Sequence, residues 1–212
     1  MVMMEQAFPR PRDRVLSAAH DAALIVAGSL VITLLAQLSL RLPFTPVPVT
    51  GQTFAVLVIA ATLGARRGAI TVGLYLAEGA AGLPFFAEGK GGFVWLLPSS
   101  PTGGYLWAFV LAAFVVGGLA ERGWDRRPLT SAAAMAAGQV VVLGLGVVWL
   151  ARALGVSLAT AASLGLYPFI AAEIVKLLIA AGLFPLFWRL SGSPDRRRDD
   201  DRGGEGSAAR AP

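Results

Sequence analysis

Residues 129–151 read LTSAAAMAAGQVVVLGLGVVWLA, a run without a single charged side chain. About 20 apolar residues in a helix cross the ~30 Å hydrocarbon core of a bilayer. A run of this length therefore places the chain in lipid, and the flanking sequence is read on that basis. Upstream, 103–120 is a similar run; downstream, 162–189 is a longer apolar run that carries Glu173 and Lys176. Nearer the N-terminus, apolar runs cover 16–40, 51–65 and 68–84. The first is too long for the core of a signal peptide, and Arg41-Leu42-Pro43 follows it with no small-residue cleavage site.

Composition agrees. Of 212 residues, 56% are hydrophobic and only 15% charged, where soluble domains carry about 25%. The length suits one domain. There is no cysteine and one histidine, His20, so no disulfide framework, thiolate cluster or histidine metal centre is expected, and no cofactor. A net charge of +5 would suggest nucleic acid in a soluble protein. Here the basic residues end the apolar runs, so they read as topology signals and no nucleic-acid partner is expected.

With the N-terminus inside and six helices alternating, the inside segments hold Arg10, Arg12, Arg14, Arg66, Arg67, Arg122, Arg126, Arg127, Arg189 and the tail arginines. The outside segments hold Arg41, Lys90 and Arg152. Five or seven helices would put a basic cluster outside, against the positive-inside rule. The expected fold is an all-α integral membrane protein, a six-transmembrane-helix bundle with inward-folded outer loops. Its parts are a cytoplasmic N-terminal segment (1–15), the membrane domain (16–190) and a disordered cytoplasmic tail (191–212). The tail has almost no apolar content.

The second and third runs are short for spans, and Gly/Pro-rich apolar loops, 43–53 and 85–105, flank them on the outer side. Irregular backbone at membrane depth persists only where protein buries it or it lines a cavity. Those loops are expected to fold inward over an outward-facing pocket, as interrupted hydrophobic segments do at transporter binding sites.

The residues that carry chemistry are Glu173 and Lys176, in YPFIAAEIVKLLIAAGL. Ionisable groups inside a membrane helix are costly and are functional by default. Their i, i+3 spacing lets them pair. The pair offers an acceptor for ligand N–H groups and a cation for a ligand carboxylate; the alternative is a structural ion pair that neutralises itself. Glu78 is a second intramembrane carboxylate, facing either the same pocket or the outer interface. Gln52, just after the Pro-rich loop, is a pocket candidate, whereas Gln139 reads as an interhelical hydrogen bond. Phe85, Phe86, Phe93, Trp95, Tyr105 and Trp107 cluster around the outer ends of runs three and four. They read as an interfacial belt, although Phe93 and Trp95 could instead close over a flat ligand. Thr102-Gly103-Gly104-Tyr105 opens the fourth run, where free backbone N–H groups suit an anionic ligand group. Small residues at four-residue spacing form two stripes. Ala69, Gly73, Ala77 and Ala81 read as packing within the bundle; Ala19, Ala23 and Ala27 read as a face for another subunit. No Walker motif, catalytic triad or metal-ligand spacing is present in the sequence, so neither an enzyme nor an ATPase is expected on this chain.

Several ordered motifs resemble the BioY family of biotin transporters. They are Pro46-Val47-Pro48-Val49-Thr50 with Gln52-Thr53, Leu63-Gly64 with Arg67-Gly68-Ala69, and Leu74-Tyr75-Leu76 with Gly79-Ala80-Ala81-Gly82-Leu83-Pro84. Gly91-Gly92 and Pro101-Thr102-Gly103-Gly104-Tyr105-Leu106 complete the set. The resemblance covers roughly 16–190. It implies the substrate-binding S component of an energy-coupling factor (ECF) transporter, six helices holding one biotin near the outer face. A membrane-embedded T subunit and paired ATPases supply the drive. It also implies docking to the T subunit through Ala23-x-x-x-Ala27, and an acid and a lysine on the last helix that contact the ureido ring and the valerate carboxylate, here Glu173 and Lys176. Three features depart from the family pattern: Glu173 stands where Asp is usual, Ser100 stands where Gly precedes Pro-Thr-Gly-Gly-Tyr, and the charged tail is additional. Glu in place of Asp adds a methylene that moves the carboxylate outward. An S component for another vitamin, and a ligand-free membrane scaffold, are the competing readings.

Overall fold

A computed structural model of the chain describes residues 2–7 and 11–190; the expected disorder of 191–212 lies outside the described residues. Eight α-helices are described: α1 (Met3–Ala7), α2 (Arg14–Gln37), α3 (Gln52–Leu63), α4 (Ala65–Ala80), α5 (Gly103–Glu121), α6 (Pro128–Leu154), α7 (Leu158–Gly165) and α8 (Tyr167–Leu190). The protein is mostly helical. The exception to the all-α expectation is a two-residue antiparallel ribbon of β1 (Ser39–Leu40) and β2 (Val49–Thr50), in register Ser39↔Thr50 and Leu40↔Val49. This ribbon closes the Pro-rich 41–48 loop and returns the chain to the bundle at α3.

Four helices are long and apolar enough to cross a membrane: α2, α5, α6 and α8. At 1.5 Å per residue α3 spans about 18 Å and α4 about 24 Å, both short of the hydrocarbon core. Their shortness has a local cause. Gly64, the one residue between them, sits at φ 86°, ψ 174°, a backbone region open only to glycine. Glu121 at the end of α5 accepts the Ala65 N–H at 2.8 Å, satisfying a donor that the start of α4 would leave unpaired. The turn is thus pinned to the end of a third helix.

Two run boundaries differ from expectation. The third run was expected to 84 and its helix stops at Ala80; the turn residue Gly82, at φ 105°, cannot continue it. The last run, expected as one segment over 162–189, splits into α7 and α8 around Leu166. Pro168 lacks the N–H that would extend the α7 ladder, and its fixed φ suits the first turn of a new helix.

α5 is the central helix, packed on α3, α4 and α6. The core gathers on its faces: Phe109, Ala112, Ala113 and Val116 with Val56 and Ala60 of α3, Val72 and Tyr75 of α4, and Val142 and Leu150 of α6. Outward-facing Leu34, Val140, Ile174, Val175 and Leu178 are exposed. An apolar belt of that kind needs lipid to solvate it. At the end of the bundle carrying Arg66, Arg122 and Arg126, α1 packs on α3, and buried Arg67 reaches Glu5 of α1 and Asp21 of α2, each at 3.3 Å. There too, the Trp188 indole of α8 donates to buried Asp125 at 2.8 Å.

The α4 stripe is not the packing face it was expected to be. The face of α4 turned to the bundle carries Gly68, Thr71, Val72, Tyr75, Leu76 and Gly79. Ala77 and Ala81 are exposed, and a Cβ on Gly73 would meet nothing within 4 Å among the described residues. Ala19, Ala23 and Ala27 on α2 are exposed as well.

Candidate functional site

At the end opposite the arginines, a cavity of about 660 Å³, open solvent at its mouth included, sits beneath two loops. The Pro-rich loop and β2 contribute Val47, Pro48 and Thr50; the start of α3 contributes Gln52 and Thr53. The 84–102 segment supplies Phe86, Ala87, Lys90, Trp95 and Thr102. The floor and walls are Tyr105, Leu106 and Phe109 of α5, Val142 and Leu143 of α6, and Phe169 and Glu173 of α8. An apolar cavity with a few convergent polar groups is the form of a small-molecule site.

Glu173 is buried, at 5% exposure, and its carboxylate is tightly held. Lys176 Nζ donates to its Oε1 at 2.6 Å, the Thr53 hydroxyl lies 3.0 and 3.1 Å from its two oxygens, and Gln139 Nε2 donates to Oε2. Lys176 Nζ also donates to the Thr50 carbonyl at 2.6 Å and to Thr53 Oγ1 at 2.8 Å. An ammonium has three protons, and these three acceptors use them all. A carboxylate has about four acceptor positions, so after these donors Glu173 keeps capacity for a ligand N–H. The cluster draws on β2, α3, α6 and α8, and it fixes the carboxylate oxygens against the cavity wall. Such a buried pair persists only when its hydrogen-bonding needs are met, as they are here.

The other residues singled out from sequence fall into two groups. Gln52, Trp95, Thr102 and Tyr105 line the cavity with Glu173. Gln52 Nε2 donates to the Tyr75 hydroxyl, which donates to the Phe85 carbonyl at 3.3 Å. The Tyr105 hydroxyl donates to the Gly165 carbonyl at 2.8 Å, tying α5 to the end of α7. Lys176, Phe93, Gly103, Gly104 and Glu78 are not among the lining residues. Lys176 faces a smaller cavity behind Glu173. Phe93 is 58% exposed. Gly103 and Gly104 lie against Trp149, and a Cβ on Gly104 would come within 2.1 Å of the Trp149 Cβ; these glycines let α5 and α6 cross closely. Glu78 is half-buried, with Oε2 unpartnered among the described residues.

Sequence reasoning missed Thr53 and Lys90. Thr53 directly follows Gln52 in a run read only as apolar, and a lone threonine gives no signal until its partner helix is placed. Lys90 read as a loop charge. In the structure its ammonium lies 2.6 Å from Glu88 Oε2 and 4.3 Å from the centre of the Trp95 ring. Glu88 also receives Arg41, through Nε at 2.7 Å and through Nη2. Arg41 first and Lys90 second pull the Glu88 carboxyl down to about 2. Glu88 sits at φ 64°, left-handed backbone that a non-glycine residue adopts rarely. The roof is further tied to α2 by Gln37. Its Nε2 lies 3.3–3.4 Å from the carbonyls of Pro84, Phe85 and Phe86, and its Oε1 accepts the Gly89 N–H at 2.9 Å.

A family model described as the BioY family matches residues 5–193. The biotin transporter BioY of Rhizobium etli is 37% identical over 177 residues, covering 80% of this chain and 89% of that protein. The biotin transporter BioY of Thermotoga maritima is 39% identical over 166 residues, covering 74% and 90%. Among solved structures, a 2.1 Å crystal structure of the S-component for biotin from an ECF-type ABC transporter superposes with a TM-score of 0.74. It covers 84% of this chain and 95% of that one at 22% identity; that likeness is one of fold.

Proposed function

The chain belongs to the BioY family, and from that membership we propose that it binds biotin and takes it up across the cytoplasmic membrane as the S component of an ECF transporter. The observation that carries this reading from family to chain is the cavity. It is apolar, it is roofed by two loops, and it presents one buried carboxylate held in place by Lys176, Thr53 and Gln139. Biotin has an apolar fused bicycle, a ureido group with two N–H donors and a carboxylate tail. Glu173 would accept from a ureido N–H, with Trp95 and Tyr105 against the bicycle and Gln52 and Thr102 as further polar contacts. Lys176 would act through Glu173, while Phe93, Gly103, Gly104 and Glu78 would shape the surroundings of the cavity.

The protein is a multi-pass membrane protein. Its finer topology, in our reading, is six spans formed by α2, α3, α4, α5, α6 and α8. The 16–190 segment is the membrane domain, and both chain ends face the cytoplasm. A T subunit and ATPase subunits would be the energising partners. The exposed Ala23 and Ala27 of α2 offer a smooth face for that docking, since small residues let helices approach closely in lipid.

The test is direct. Protein purified from biotin-containing medium should carry biotin, identified by mass spectrometry after denaturation. Radiolabelled biotin uptake by cells expressing the chain with its partners should be abolished by excess unlabelled biotin and not by other vitamins. Failure of excess biotin to compete would sink the assignment.

A further inference from the structure

We propose that Lys90, and not Lys176, takes the carboxylate of the bound ligand, and that it does so by exchanging Glu88 for the ligand. The inference rests on the reading of the cavity as a biotin site and names the residue that would meet the other end of the molecule.

Three observations carry it. First, Lys176 has no proton to give: Glu173, Thr53 and the Thr50 carbonyl account for all three, and its side chain is not on the cavity wall. Reaching a ligand carboxylate would mean abandoning Glu173 in a buried place, which is costly. Second, Lys90 is the one cation among the residues lining the cavity, as Glu173 is the one carboxylate. A ligand with N–H donors at one end and a carboxylate at the other finds an acceptor and a cation in the same apolar space. The Lys90 side chain is 29% exposed, and its ammonium rests over the Trp95 ring at 4.3 Å. The indole orients the cation electrostatically without consuming an acceptor, so the ammonium can turn.

Third, Lys90 can leave Glu88 without stranding a charge. Glu88 is held by Arg41 through two nitrogens, and a bidentate guanidinium pair is complete in itself. When Lys90 swings to an incoming carboxylate, Glu88 keeps Arg41 and Lys90 gains the ligand; every charge stays paired. Without a ligand, Glu88 keeps Lys90 from facing an apolar cavity unpaired. The arrangement favours an anionic ligand and leaves a neutral one to compete with nothing to offer.

The experiment compares biotin with its primary amide, which keeps the ring system and lacks the charge, by calorimetry on the full chain in detergent. In the unmodified protein the amide should bind roughly 10- to 100-fold more weakly, the worth of one charge-assisted hydrogen bond. Lys90→Gln should bring biotin down to the level of the amide and leave the amide itself within a few-fold of its original affinity. Retained amide binding also shows that the variant is folded. Lys90→Arg should restore most of the preference. Lys176→Met should weaken both ligands together, because it disturbs Glu173 and not the carboxylate. The proposal is overturned if Lys90→Gln keeps the preference for biotin over the amide, or if Lys176→Met removes that preference. If the unmodified protein binds neither compound, the biotin reading itself has failed and the inference goes with it, an outcome that involves no variant.

Discussion

Thr53 is the least conspicuous member of the polar cluster and a sensitive one. Its single hydroxyl accepts from Lys176 and donates to Glu173, so it is the hinge between cation and carboxylate. Thr53→Val keeps the shape and removes both bonds. A loss of about 1–2 kcal/mol is expected, roughly 5- to 30-fold in Kd, the same for biotin and for its amide. Calorimetry on both compounds checks it; undiminished binding would mean that the carboxylate is oriented without the hydroxyl. At this scale the sequence was legible only where charge made a residue costly. Glu173 and Lys176 stand out because ionisable groups are rare in lipid, and their spacing correctly implies that they pair. Thr53, Tyr75 and Lys90 carry no such mark. Hydroxyls are cheap anywhere in a helix, and a lysine in a loop is ordinary until the loop is seen to fold back over a cavity.

Among the elements, the α5–α6 crossing is the tightest consequence of sequence. Gly104 and Gly103 meet Trp149, and Gly146 and Gly165 meet the Tyr105 ring and hydroxyl. The Thr-Gly-Gly-Tyr stretch invites an anion-binding reading from its position at a helix start, yet the glycines are turned to another helix. Gly104→Ala would press a methyl into the Trp149 side chain and should destabilise the protein by about 1–3 kcal/mol. Gly73→Ala, on an open face of α4, should be neutral or slightly stabilising. Thermal unfolding of both variants in the same detergent separates the two expectations; equal melting temperatures would contradict the crossing described. The existence of α2 to α6 and of α8 was legible because hydropathy marks them; α1, in the polar N-terminal segment, and α7, inside the last run, were not. Helix ends were less so: the break at Leu166 precedes Pro168, the second residue of α8, inside what reads as one apolar run.

For the whole molecule, described arginines among those that suggested an orientation, Arg66, Arg67, Arg122 and Arg126, gather at one end. The α3–α4 turn and the end of α5 meet through Glu121 and Ala65, and Arg67 joins α1 and α2 to the same place. The cavity opens at the other. That clustering was readable from loop charges alone, and the shortness of the second and third runs from their length; the place of the turn between them, Gly64 and not the arginine pair at 66–67, was not. The chain has no cysteine, so single-cysteine variants carry no background. Ser99→Cys should react with a membrane-impermeant maleimide in intact cells, and Arg127→Cys only after permeabilisation. Labelling of both from one side would refute the proposed topology.

One of the fastenings of the roof over the cavity, beside the Arg41–Glu88 pair and the Tyr75 hydroxyl on the Phe85 carbonyl, is an exposed amide. Gln37 shares two N–H protons among several carbonyls at 3.3–3.4 Å, and water can replace each of those bonds at small net cost. That fastening taken alone adds little to the hold on the roof. The residence time of a molecule under the roof should therefore follow changes at Glu173, held at the cavity wall by three donors, more closely than changes at Gln37.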